Sequence, residues 1–282
     1  MVHLIWRVCK ELGIPMIEVW LNNTLNIYKE ERPYWDLFNK WLGIEDKFRE
    51  FKPLKDKEGK IQTVWTIAKK VGHLPNFRAT YKKVKGFKHG NTPECCDKLK
   101  KESVNAYLKS IPKAERYDCH FVGTRAAESQ IRSLGVLQRC RSYVTKFRKP
   151  YHIRTVTPLS FWKKADIYEY FARYNIPVNR TYQIHNITRM GCASCPAYKG
   201  WEIDMINDPT AERFGMLKQN LKILRETEPD RFKDSITILK KYLKDKKSLS
   251  KLSEANRVRL IKLLHEFDGS LTLHDFVVPA KL

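Results

Sequence analysis

The side chains most able to do chemistry in this sequence are its seven cysteines, and their spacing is uneven. Cys95 and Cys96 are adjacent, and Cys192-Ala-Ser-Cys195 forms a Cys-x-x-Cys turn. Such a turn brings two thiolates to one metal, and an adjacent pair can supply two more. Lys98, Lys100, Lys101 and Arg189 flank the two pairs and would stabilise the thiolate form. The Cys-x-x-Cys element alone fits zinc or redox work. The adjacent pair favours an iron–sulfur centre, because neighbouring ligands suit a cluster of several irons. A disulfide framework is the weaker reading, since Met1 to Gly13 carries no signal-peptide pattern: Arg7, Cys9, Lys10 and Glu11 interrupt its apolar stretch. Cys9, Cys119 and Cys140 stand singly in or near apolar surroundings and read as small core residues.

The second chemical feature is charge. The 282 residues hold 54 Lys plus Arg against 31 Asp plus Glu, a net of +23. Residues 1–200 carry 38 basic and 18 acidic side chains, so nearly all of the excess lies there. Arg139 to Lys164 contains eight basic residues and no Asp or Glu, and Lys82, Lys83, Lys85 and Lys88 open a second basic stretch. Tyr81, Phe87, Tyr143, Phe147 and Tyr151 are interleaved, a combination suited to phosphate contact with base stacking. A solvated lysine-rich face is the plainer reading, and charge alone does not separate RNA, DNA and nucleotide phosphate. With 42% hydrophobic residues the chain can bury a full core, which excludes global disorder. No apolar run reaches the ~20 residues of a membrane span. The expectation is a cytoplasmic protein that meets no membrane.

These side chains need elements to hold them. Leu4, Ile5, Val8 and Leu12 recur at helical spacing until Gly13 and Pro15. Met16–Leu21 reads as a strand, Tyr34–Leu42 as a helix stopped by Gly43, and residues 44–60 as a charged loop. Ile61–Val71 reads as a helix, 72–93 as a basic loop, Asp97–Ser110 as a helix, and both His120–Val122 and 151–157 as strands. Ser160 is expected to cap a helix carrying Trp162, Ile167 and Phe171 that ends near Asn175. Beyond Gly200, Asp208-Pro209 starts a helix with Leu217, Leu221 and Leu224 on one face, and two more helices follow near 230–244 and 253–267. Strands alternating with helices predict a parallel α/β sheet. The expected organisation is a nucleotide and iron–sulfur domain over residues 1–200 and a helical C-terminal extension over 201–282.

Taken in order, these features resemble a known family. Gly123-Thr-Arg-Ala-Ala-Glu-Ser-Gln-Ile-Arg132 is similar to the Gly-x-Arg-x-x-Glu-Ser-x-x-Arg signature of phosphoadenosine phosphosulfate (PAPS) reductase-like proteins. Pro158, Trp162 and Asp166 match that family's Pro-Leu-x-x-Trp-x-x-x-Asp helix, and Arg189 to Pro196 resembles its Arg-x-Gly-Cys-x-x-Cys segment. The resemblance covers roughly residues 1–200. It implies a Rossmann-like sheet of the adenine nucleotide α-hydrolase (PP-loop) type and an adenine nucleotide, ATP or a sulfonucleotide, as ligand. It also implies that Cys95, Cys96, Cys192 and Cys195 ligate a 4Fe-4S cluster, as in adenylylsulfate reductases. Arg125, Glu128, Ser129, Arg132 and Arg189 are the residues it places at the nucleotide or substrate. Arginines suit phosphate or sulfate bidentately, and Glu128 would hold Arg125 or Arg132 in place. Without the ordered motif, Glu128 with Arg132 would read as an ordinary i, i+4 helix ion pair.

The sequence departs from the family in two places. The Ser-Gly-Gly-Lys-Asp-Ser pyrophosphate loop after the first strand is absent, and Met1-Val-His-Leu-Ile looks like the residues that follow it, so a start inside the first helix is expected. No cysteine follows Cys195, where sulfonucleotide reductases carry their nucleophile; Cys119 or Cys140 would have to substitute. Three functions follow. The leading one is iron–sulfur-dependent sulfur transfer to a nucleic acid, tRNA or DNA, with an unspecified sulfur or electron donor. The others are sulfonucleotide reduction and a non-catalytic nucleic-acid-binding module with a structural cluster.

Overall fold

The computed structural model describes residues 1–75, 94–128, 130–139, 142–146, 152–187, 190–197 and 200–269. The chain folds into two compact units, each assembled from separated stretches of sequence. Unit 1 comprises Met1–Asn22, Arg32–Phe51 and Glu102–Asn179; unit 2 comprises Asn23–Glu31, Lys52–Lys101 and Arg180–Leu282.

Unit 1 is a mixed helix and strand unit. α1 (Val2–Glu11) ends as expected, with Gly13 at φ 65°, where a side chain would be strained. β1 (Val19–Asn22) pairs in parallel with β2 (Phe48–Phe51), Val19 opposite Phe48 and Asn22 opposite Phe51. β2 lies inside the stretch expected to be a charged loop. Lys47, Arg49 and Glu50 hide it from a hydropathy reading, while Phe48 and Phe51 supply its apolar positions. α2 (Glu31–Leu42) starts three residues earlier than its apolar spacing suggests and ends before Gly43, also at positive φ. Val19, Phe38, Leu42, Ile44 and Ile176 form one core, ringed by Trp6, Tyr34, Trp35 and Tyr170.

A second sheet in unit 1 has the order β3–β5–β4. β3 (Cys119–Phe121) runs parallel to β5 (His152–Val156), and β4 (Ser142–Lys146) runs antiparallel to β5. Parallel pairing agrees with the α/β expectation. The antiparallel β4 does not, and its basic surroundings conceal it in the sequence. Along the chain, α6 (Gln130–Arg139) lies between β3 and β4, and α7 (Lys164–Arg173) follows β5. Ser160 does not cap α7. It is fully buried and donates to the carbonyl oxygen and to Oγ1 of Thr157, both at 2.6 Å. The Asp166 carboxylate instead accepts the Lys163 N–H at 2.8 Å and closes the first turn of α7.

Unit 2 is helical. Its described elements are α3 (Val64–Val71), α4 (Glu94–Cys96), a π-helical turn (Asp97–Lys101) leading into α5 (Glu102–Ser110) of unit 1, and then α8 (Thr181–Ile184). α9 (Trp201–Ile206), α10 (Ala211–Thr227), α11 (Pro229–Lys244), α12 (Lys246–Leu249) and α13 (Glu254–Phe267) complete it. Leu217, Leu221 and Leu224 share the inner face of α10, as their spacing predicts, and each is fully buried. They meet Leu239 of α11 and Leu260 and Leu264 of α13 in one core. Full burial of each leucine contributes about 1.5–3 kcal/mol, so this core is the unit's main source of stability. Among the described residues, no helix is long and apolar enough to cross a membrane.

Candidate functional site

The Cys192–Cys195 turn sits between α8 and α9, and unit 2 holds it from several sides. The Ala193 N–H donates to the Asn26 carbonyl at 2.6 Å, and Ser194 Oγ donates to Asn26 Oδ1 at 2.7 Å. Ala193 and Ser194 are fully buried, so each lost bond would strand a polar group away from water. Asn220, a polar break in the apolar face of α10, donates from Nδ2 to the Ser194 carbonyl at 3.3 Å. Its Oδ1 accepts from Trp65 Nε1 at 3.0 Å. Arg231 of α11 donates to the Pro196 carbonyl at 2.9 Å. Thr24 Oγ1 lies 3.4 Å from Cys192 Sγ.

The upstream pair is carried by α4, where Cys95 packs with Val64, Ile67 and Leu99. The four thiols feel one another. A hydrogen bond to Cys96, burial, and the charges of Cys96, Cys195 and Cys192 together push the Cys95 thiol far up. The Cys95 hydrogen bond brings Cys96 down to about 6 against the cost of its burial, aided by Lys100 and Lys101. Burial lifts Cys195 to about 11, and Cys192 and Cys96 add to the rise. One proton shared between Cys95 and Cys96 explains their opposite directions. The structure thus brings Cys95, Cys96, Cys192 and Cys195 into one half-buried neighbourhood with lysine charge beside it. Four sulfur donors so placed suit a thiolate-bound metal centre.

In unit 1 the signature motif forms a 3₁₀ turn (Ala126–Glu128) and then enters α6. Glu128 stands between the two arginines. Arg125 Nε donates to Glu128 Oε1 at 3.2 Å, and Arg132 pairs with Glu128 Oε2. Glu128 therefore pairs with both arginines rather than with one of them. The Ala126 N–H donates to the Ser160 carbonyl at 2.8 Å, which ties the motif to the turn after β5. Arg125 Nη1 is buried without a hydrogen-bond partner among the described residues, while the Arg132 side chain is 49% exposed. Ser129 and Arg189 lie outside the described residues, as do Cys140, residues 76–93 of the second basic stretch, and Tyr81, Phe87, Phe147 and Tyr151 of the interleaved aromatics. Cys9 is buried in α1 and Cys119 half-buried in β3, in keeping with packing roles.

Sequence reasoning missed Asn26, Asn220 and Arg231, which have no motif of their own. Asn220 alone left a signal, as a polar residue on a helix face of leucines. It also missed a second polar cluster in unit 2. His185 is fully buried, with Nδ1 2.8 Å from Asp208 Oδ2 and Nε2 2.9 Å from Glu30 Oε2. Glu212 Oε2 is 3.9 Å from the same Nε2. Close by, burial pushes the Glu31 carboxyl up to about 7, although a backbone hydrogen bond from Tyr28 and the Lys100 charge act the other way.

Fold and site together define a mixed α/β chain with a helical C-terminal region, four cysteines that act on one another's charge, and a glutamate paired with two arginines. The sequence matches the model of the phosphoadenosine phosphosulfate reductase domain over residues 41–198, more than half of the chain, and the protein belongs to that family. No curated protein sequence matches it.

Proposed function

We propose that this protein is an iron–sulfur-dependent enzyme that handles an adenylyl nucleotide and transfers sulfur to a nucleic acid. The observation that carries the reading is the gathering of Cys95, Cys96, Cys192 and Cys195 in one neighbourhood, in a chain of the PAPS reductase family. Four sulfur donors, two of them adjacent in sequence, suit a 4Fe-4S cluster. A bound cluster would supply sulfur-seeking iron and one-electron chemistry.

The chain's own residues have separate tasks in this reading. Asn26, Asn220 and Arg231 fix the Cys192–Cys195 turn, and burial excludes water from Cys95. Arg125 and Arg132 would grip the phosphate or sulfate of an adenine nucleotide held in a Rossmann-like unit 1, with Glu128 orienting both guanidinium groups. The excess of basic residues supports a polyanionic acceptor. The sulfur donor is a separate reactant.

Anaerobically purified protein is expected to absorb at about 400 nm and to carry iron and sulfide. Supplied with ATP, sulfide and either tRNA or DNA, it should yield nucleosides with a sulfur-for-oxygen mass increase. Colourless, iron-free protein after anaerobic reconstitution would overturn the reading. The family membership also favours sulfonucleotide reduction as a second reading. Consumption of PAPS or adenylylsulfate with release of sulfite, and no thionucleoside, would select it.

A further inference from the structure

We infer that Glu30, His185 and Glu212 form a divalent-cation site of the manganese or ferrous type, separate from the four cysteines. One donor atom from each of the three lies within 4.8 Å of the other two. The arrangement around the imidazole is that of a metal ligand. Asp208 Oδ2 takes Nδ1 at 2.8 Å, which fixes the ring and leaves Nε2 aimed at Glu30 and Glu212. Asp208 is itself held, since its Oδ1 accepts from the Thr210 N–H at 2.7 Å and from Thr210 Oγ1 at 2.5 Å. Tyr28 covers the ring, with centroids 4.4 Å apart.

The Nδ1 and Nε2 contacts each need a proton, which the ring supplies only as an imidazolium; with Nε2 on a cation, the single Nδ1 proton is enough. Three carboxylates, of Glu30, Asp208 and Glu212, surround the ring. The cationic side chains at the cluster are more distant: Arg213 Nε is 4.0 Å from Asp208, and Lys29 Nζ is 4.0 Å from Glu30 Oε1. The position of Glu212 in the first turn of α10 suits the helix dipole. The dipole does not explain why Glu212 Oε2 is buried with no hydrogen-bond partner among the described residues. A cation among the three donors supplies the partner that Glu212 Oε2 lacks.

The distances agree. Donors about 2.1 Å from one ion stand roughly 3.0 Å apart at a right angle and roughly 3.4 Å apart at the tetrahedral angle. The observed separations from Nε2, 2.9 and 3.9 Å, bracket these values. Two carboxylates and one imidazole, without sulfur, suit manganese or ferrous ion better than a soft metal.

The test is a Mn2+ titration of the full chain, purified anaerobically and dialysed against EDTA, followed by electron paramagnetic resonance of the free ion. One Mn2+ should bind per chain. Glu212→Gln and Glu30→Gln, both conservative changes at partly exposed side chains, should weaken binding at least about tenfold while leaving the circular dichroism spectrum unchanged. Cys192→Ser should bind Mn2+ as the unmodified chain does. Absence of saturable Mn2+ binding to the folded chain, or equal binding by both folded glutamine variants, would overturn the site. Loss of Mn2+ binding in Cys192→Ser would also overturn it, by moving the ion to the thiols. Because the readout uses no nucleotide or sulfur substrate, it stands or falls apart from the proposed function.

Discussion

The Cys192–Cys195 turn and the Arg125–Glu128–Arg132 motif are both short stretches with chemistry-bearing side chains, but they are held differently. The turn is gripped through its backbone by Asn26, Asn220 and Arg231, from distant parts of unit 2. Its two central residues are fully buried. The motif is held largely by its own members, through ion pairs three and four residues apart that remain in contact with water. Buried hydrogen bonds specify geometry at a high cost of loss. Exposed ion pairs contribute about 0–1 kcal/mol and yield readily to a competing anion. The turn is thus the rigid element of the two and the motif the adjustable one.

The largest effect that would break this contrast concerns the thiols. Cys192→Ser and Cys195→Ser should each abolish the absorbance at about 400 nm of the anaerobic protein; full colour in either variant would remove that residue from the ligand set. Leu221→Ala, in the core of unit 2, should cost about 2–5 kcal/mol in denaturant unfolding without lowering the iron content of protein that is still folded. Asn26→Ala should cost less, about 1–3 kcal/mol, yet lower the iron content more. If iron follows global stability instead, the turn is not locally specified.

For the motif, Glu128→Gln should change stability by less than about 1 kcal/mol. It should raise the dissociation constant for an adenine nucleotide about tenfold, equivalent to about 1.4 kcal/mol, by calorimetric titration. The smallest effect tests whether unit 1 contains any position as densely held as the turn. Glu18 accepts from Trp20 at 2.8 Å, Tyr117 at 2.5 Å and Arg49 at 2.9 Å. Burial alone would raise its carboxyl, but these donors outweigh it and hold the group below the usual glutamate range. A depressed carboxyl means that the unfolded chain binds more protons, so its contribution is present above the unfolded value and fades as pH falls through the folded one. Acid titration of stability should show that loss, and Glu18→Gln should flatten it.

Much of the fold was legible where local rules suffice. Gly13 and Gly43 marked helix ends because only positive φ closes those turns, and the leucine spacing of α10 gave its buried face. β2 and β4 were not legible, because their strand character comes from pairing with β1 and β5 while their composition is charged. Ser160 misled for a related reason: its hydroxyl satisfies Thr157, and Asp166 does the capping. For the site, the ordered cysteine and arginine motifs were visible as spacing. The residues that hold them were not.

The sequence alone determined the residue types: four thiols in two pairs, an Arg–Glu–Arg motif, a basic first two hundred residues and the family to which the chain belongs. These follow from composition and order along the chain, which folding does not change. Only the tertiary structure decided that Asn26 anchors a turn some 170 residues away, that Glu128 serves two arginines, and that Glu30, His185 and Glu212 converge. Such partnerships depend on which polar groups burial brings together with nothing else to bond, and no spacing along the chain encodes that.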